Sequence, residues 1–279
     1  MAGEENLRPA APALATFPHV DIGPSIGRSK YSRFDLLPYD AISRWRPGPA
    51  VGVVVFIVAL SVGVAIVGGL LALRSENLSA AEAARSGKPL LAMLAAQVMM
   101  IIGALLAARA RKGDQIITVL ALKAPIGGLA TYAKALFAML AVVATYTAFT
   151  YFVLRHEPSN DLGEMVGLFR GPWWPLALVV IGIGAPLSEE LLFRGFLQTA
   201  LVPTRLGYWG AATVTTTFWT TLHAGYSIPG LVEVFIIGLA FALMLRWTGS
   251  LRVPLVCHAI YNMGIALILI FVPKDWLGF

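Results

Sequence analysis

The sequence predicts an all-α polytopic transmembrane bundle of about seven to eight spans, preceded by an N-terminal cytoplasmic tail. Three observations predict it. Of 279 residues, 58% are hydrophobic and 13% charged, with a mean hydropathy of +0.76, whereas soluble domains carry about 25% charged residues. Apolar stretches of about 20 residues, long enough to cross a hydrocarbon core, recur along the chain. The loops between them differ in basic character, as membrane topology requires. The net charge of +6 therefore reports orientation, and no nucleic-acid partner is implied. A single cysteine, Cys257, excludes an internal disulfide framework.

Residues 1–46 form the tail. They mix Pro, Gly, Ala and charges of both signs and lack the apolar core of a signal peptide. The expected role is a partly ordered segment on the membrane surface, with partner binding as the alternative. Residues 47–172 hold three leading spans. The first, 47–73, is uncharged; the second is 89–108; the third is 129–154, where Lys134 can snorkel to the interface. Residues 173–279 hold the rest. The fourth span starts at the interfacial pair Trp173-Trp174 and runs into "APLSEELLFRGF" (185–196), where Pro186 could split it. The fifth is 206–224, the sixth 230–246 and the seventh 253–272.

Orientation follows the loops. Loop 109–128 has Arg109, Arg111, Lys112 and Lys123 against Asp114; loop 155–172 has Arg155 and Arg170 against Glu157, Asp161 and Glu164. Basic loops stay cytoplasmic. The first loop and the tail are then inside and the C-terminus outside. The expected location is a bacterial inner membrane.

One charged residue at a bilayer centre costs roughly 2.5–3.5 kcal/mol on insertion scales. Glu189, Glu190 and Arg194 fall within six residues, so pairing or function must compensate. Glu190 and Arg194 are four apart and share a helical face; Glu189 lies about 100° around the helix. An internal Glu190–Arg194 pair leaves Glu189 as the spare carboxylate, suited to general acid–base work. The competing reading is that all three only tie helices together. His258 and Asn262 also stand four apart, placed to grip a carbonyl oxygen that becomes negative in a transition state, or else to satisfy one another. His223 alone would be a core histidine. Glu233, just after Pro229-Gly230, reads as a helix N-terminal carboxylate. Ser188 reads as a helix-start residue after Pro186 rather than a nucleophile. His19 and His156 receive no role. Two histidines and a glutamate could hold zinc, but no spacing puts two ligands on one helix, so local spacing does not favour a metal over a metal-free water-activating site.

These residues resemble a known family. "EELLFR" (189–194) matches the EExxxR signature of the CAAX-prenyl-protease and bacteriocin-processing (CPBP, or Abi) intramembrane proteases. "WTTLH" (219–223) stands where that family usually has FxxxH, with Trp219 replacing the Phe, and "HAIYN" (258–262) fits HxxxN. The likeness covers about residues 173–265. It implies that Glu189 and His223 activate a water for attack on a peptide carbonyl, that His258 and Asn262 stabilise the oxyanion, and that Glu190 and Arg194 fix the glutamate helix. It implies no required cofactor, with a divalent metal such as zinc as the competing mechanism.

The leading expectation is an intramembrane endopeptidase acting on a membrane-associated or lipidated peptide or protein. A non-catalytic scaffold of the same fold, partnering another membrane protein, is the second. A small proton-coupled transporter is the third, although such proteins more often show paired repeats with broken helices, and none is evident. His223 closing the fifth span and His258 opening the seventh would lie on opposite membrane faces. A non-helical dip at 247–254, with Gly249 and Pro254, is expected to bring them together.

Overall fold

A computed structural model describes residues 38–75, 87–157 and 159–273; the reading of residues 1–37 lies outside them. Eight helices carry the architecture: α1 (Pro47–Ser75), α2 (Lys88–Arg109), α3 (Leu129–Phe152), α4 (Ser159–Phe169), α5 (Trp174–Leu201), α6 (Gly207–Thr221), α7 (Ile228–Thr248) and α8 (Arg252–Phe271). Among the described residues there is no strand. Six of the eight, all but α4 and α6, are long and apolar enough to cross a membrane. The chain is a multi-pass membrane protein.

The helix boundaries follow local chemistry. Gly87, in the left-handed region at φ 73°, turns the chain into α2, with Pro89 in the first turn where its missing N–H costs nothing. Ser227 caps α7 by accepting from the Gly230 amide at 3.1 Å, and left-handed Gly249 (φ 63°) ends it.

Helix ends and loops of the described residues gather at two poles. At one, Tyr39 hydrogen-bonds Thr199, Lys123 pairs with Asp40, and Trp45 Nε1 donates to the Ala107 carbonyl. At the other, Arg170 Nε donates to the Leu269 carbonyl, and Asp161 meets Ser227. α1 packs along α2, and α2 packs against α5. α8 packs on the first half of α5 and, with α7, on α3, so the leading and trailing helices share one core.

Two expectations are corrected. Pro186 does not split the fourth span. α5 runs through it, with π-helical turns at Leu178–Gly184 and Glu190–Gln198. Nor does 247–254 dip inward as irregular backbone. Only residues 249–251 leave the helices, and they are pinned by Leu251 N to the Ala121 carbonyl and Ser250 Oγ to the Lys123 carbonyl. The irregular backbone is residues 222–227 instead. α6 has 15 residues, about 22 Å long against a hydrocarbon core of about 30 Å. α6 is therefore too short to cross alone, and His223 lies in the loop that follows it.

Candidate active site

On α5, one π-helical stretch ends at Gly184, ahead of Glu189, and the other begins at Glu190. In a π-helix an N–H bonds the carbonyl five residues back. Pro186 has no N–H, so the Ile181 carbonyl loses that partner. Asn262 Nδ2 on α8 takes its place at 3.0 Å. One residue earlier, Gln97 Nε2 on α2 donates to the Val180 carbonyl at 3.0 Å. These two amides tie α2 and α8 to the helix that carries the glutamates. A methyl group added at Gly184 would strike the end of the Gln97 side chain, which would have to shift.

Glu190 and Arg194 are buried and paired, Oε1 to NH1 at 3.1 Å. The same Oε1 receives His258 Nδ1 at 3.2 Å. The Arg194 guanidinium lies 4.2 Å from the Trp219 ring centroid, a cation–π contact. Its Nε and NH2 have no hydrogen-bond partner among the described residues. Gly238 makes room: a methyl group there would come within 2.7 Å of Arg194 NH2 and 2.6 Å of Thr216.

Glu189 turns the other way. It lines a cavity of about 550 Å³ together with His223, His258 and Asn262, within the usual size range of ligand pockets. Its Oε2 accepts from Trp219 Nε1 at 2.6 Å, and Oε1 has no partner among the described residues. His223 Nδ1 lies 3.1 Å from the Trp219 carbonyl. A carbonyl only accepts, so Nδ1 carries the hydrogen and Nε2 of the neutral ring offers a lone pair. His258 Nδ1 is likewise the donor towards Glu190, whose carboxylate is ion-paired with Arg194. Phe241 stacks on the His258 ring at 4.7 Å.

The four residues expected to do chemistry thus share one cavity, while Glu190 and Arg194 sit behind its wall. Several individual expectations change. His258 and Asn262 do not satisfy one another; each has its own partner on α5. Glu233 does not act at a helix N-terminus: Ser227 caps α7, no acidic residue occupies its first turn, and Glu233 lines the cavity with Tyr261 Oη donating at 3.4 Å. Ser188 donates to the Ala185 carbonyl within an unbroken α5, rather than starting a helix.

Sequence reasoning assigned nothing to His156. It lies at the cavity rim, with Nε2 3.0 Å from Asp161 Oδ2 and 3.2 Å from Ser227 Oγ. Asp161 also accepts from the Ser227 amide at 2.6 Å and the Ser227 hydroxyl at 2.8 Å. Burial alone would raise the Asp161 carboxyl, but these hydrogen bonds together hold it below its ordinary value. Both oxygens meet the same ring nitrogen, so this is a latch between α4 and the 222–227 loop rather than a relay that activates the serine. Trp219 was also missed as a functional residue, although its place one helical turn before His223 was visible.

Among the described residues, no three His, Cys, Asp or Glu side chains converge as a metal would need.

Comparison with known proteins agrees in place with the site. The model of the family described as type II CAAX prenyl endopeptidase Rce1-like matches residues 171–264, about a third of the chain. An uncharacterized protein of Bacillus subtilis (strain 168), YpbD, is 35% identical over 77 residues, 27% of this chain. The aligned part spans 36% of that relative's length. No solved structure matches. The chain is therefore similar, over the stretch that bears all three motifs, to the Rce1-like type II CAAX prenyl endopeptidases, the intramembrane protease family its residues resemble.

Proposed function

We propose that the protein is an intramembrane endopeptidase that hydrolyses a peptide bond with a water activated by Glu189 and His223. The observation that carries this reading is the sharing of one cavity by Glu189, His223, His258 and Asn262, drawn from three separate segments of the chain. Glu189 Oε1 takes a proton from the water as its oxygen attacks the scissile carbonyl carbon. His223 Nε2 offers a second acceptor for that water. The carbonyl oxygen becomes negative, and His258 Nε2–H, with the second Nδ2–H of Asn262, donates to it. As the C–N bond breaks, the proton held by the glutamate passes to the leaving amine. Glu190 opposes the positive charge on a doubly protonated His258 ring. The proposed steps need no metal or other cofactor.

The cavity wall supports a membrane-borne substrate. Leu162, Met165 and Phe169 of α4 and Ile237 of α7 line it beside the polar groups. An apolar or lipidated segment next to the scissile bond suits that lining, in keeping with the family's prenyl endopeptidase description. We place the protein in a bacterial inner membrane with the tail and loop 109–128 in the cytoplasm, on the strength of the basic loops.

A non-catalytic scaffold of this fold is the second reading, and one observation favours it: Glu189, Glu190, His258 and Asn262 each have an internal partner. Peptidomics of membranes carrying the wild-type chain, Glu189→Gln or His223→Ala separates the two. Loss of the same cleavage products in both variants, with the folded protein retained, is the expected result. Unchanged products in both overturn the hydrolase and leave the scaffold.

A further inference from the structure

We infer that Trp219 is a positioning residue for Glu189: its indole N–H fixes one carboxylate oxygen and so leaves the other aimed into the cavity. The inference rests on the hydrolase reading above and adds to it a residue that the EExxxR, FxxxH and HxxxN motifs leave without a polar role.

The direction of the hydrogen bond is not in question. An indole N–H can only donate and a carboxylate can only accept. At 2.6 Å the contact is slightly shorter than the usual range, about 2.7–2.9 Å, for N–H donors facing a charged oxygen. The indole is itself held on several sides. Trp219 is 2% exposed; Arg194 covers one ring face at 4.2 Å, and the His223 and His258 rings meet it at 4.9 and 5.8 Å. Its own main-chain carbonyl receives His223 Nδ1. One residue therefore orients the carboxylate through its side chain and sets the imidazole tautomer through its backbone. A positioned base needs this: a glutamate side chain has several rotatable bonds, and a loose one spends little time aligned with its water.

Phenylalanine at this position would keep an aromatic face for Arg194 and lose the N–H together with part of the ring's volume. Buried indole N–H groups usually find some acceptor, so the bland account is that Glu189 merely satisfies Trp219. The two accounts differ in what Trp219→Phe does to turnover.

The full chain in nanodiscs, with its seven tryptophans labelled with ¹⁵N at the indole, gives a readout without activity. The resonance missing in Trp219→Phe is that of Trp219. In Glu189→Gln, where a neutral amide oxygen replaces the carboxylate, that resonance is expected to move more than the others. A Trp219 resonance that stays in place overturns the inference. This arm also decides the matter if Trp219→Phe does not fold. Glu189→Gln keeps the indole, and replacing the other tryptophans one at a time by phenylalanine assigns the Trp219 signal by elimination. The second arm follows cleavage of an internally quenched peptide carrying an apolar segment. Trp219→Phe is expected to lower kcat roughly tenfold or more, as for loss of a hydrogen bond to a charged group, with KM unchanged and the thermal midpoint lowered only as far as the lost ring volume requires. Wild-type kcat in Trp219→Phe, with Glu189→Gln inactive, overturns the positioning role. Wild-type kcat in Glu189→Gln instead overturns the hydrolase reading, and the resonance still reports whether the bond exists.

Discussion

Arg194 is the residue on which the wall behind the site depends. It is 0% exposed and faces a carboxylate that is also 0% exposed. Removing one member of such a pair leaves the other as an uncompensated buried charge, which typically costs about 3–5 kcal/mol. Arg194→Ala is therefore expected to unfold at markedly lower temperature or denaturant than the wild type in the same detergent, whether or not Glu189 is intact. Gly238→Ala is expected to act on the same group from the other side. Its methyl would press on Arg194 NH2 and Trp219, and overpacking of this kind costs roughly 1–3 kcal/mol. A thermal unfolding midpoint equal to the wild type's for Gly238→Ala would show that the guanidinium has room to move.

The elements act through two joints. The first is Asn262, which bridges α8 to the carbonyl that Pro186 leaves open on α5. Losing that donor strands a carbonyl, at about 1–3 kcal/mol. Asn262→Leu is expected to lower stability even in a Glu189→Gln background that turns over nothing, a result that a purely catalytic asparagine would not give. The second joint is the Asp161 latch, which holds α4 to the start of α7. The folded-state pKa of Asp161 is depressed by the hydrogen bonds of Ser227 and His156. Its stabilisation is thus present above the unfolded-state value, about 3.9, and is lost as pH falls through the folded-state value. Hydrogen exchange of residues 222–230, corrected for the intrinsic rate, is expected to rise on acidification through and below about pH 4. Asp161→Asn is expected to raise it already at neutral pH.

At the scale of the molecule, the proposed topology puts loop 109–128 and loop 155–172 on opposite sides of the membrane. Cys257 is buried and is the chain's one cysteine, so single cysteines can be read cleanly after Cys257→Ala. Lys112→Cys is expected to react with an impermeant maleimide only in inside-out vesicles, and Glu157→Cys only in intact cells. Labelling of both from one side would overturn the topology.

The membrane class, the long spans and the Glu190–Arg194 spacing are all local. Length, hydropathy and the 3.6-residue turn are properties of neighbouring residues, and a linear sequence carries them. The partnership of His258 with Glu190, 68 residues away, has no local signature. Nor has the bond from Trp219 to Glu189 across 30 residues. Pro186 announces a missing N–H, but whether the helix breaks there or widens into π turns depends on which neighbour supplies a donor. Here Asn262 supplies it, and the helix continues. The misplaced dip has the same origin: Gly249 does mark a turn, but Pro254 falls in the first turn of α8, and the turn is held at one pole by the 121–123 carbonyls. The sequence by itself determined an apolar, helical, membrane-crossing chain and the ionisable groups it would have to shelter. Only the tertiary structure decided which of those groups face one another across the cavity and which face away, because hydrogen-bond partners are chosen by helix packing and not by proximity along the chain.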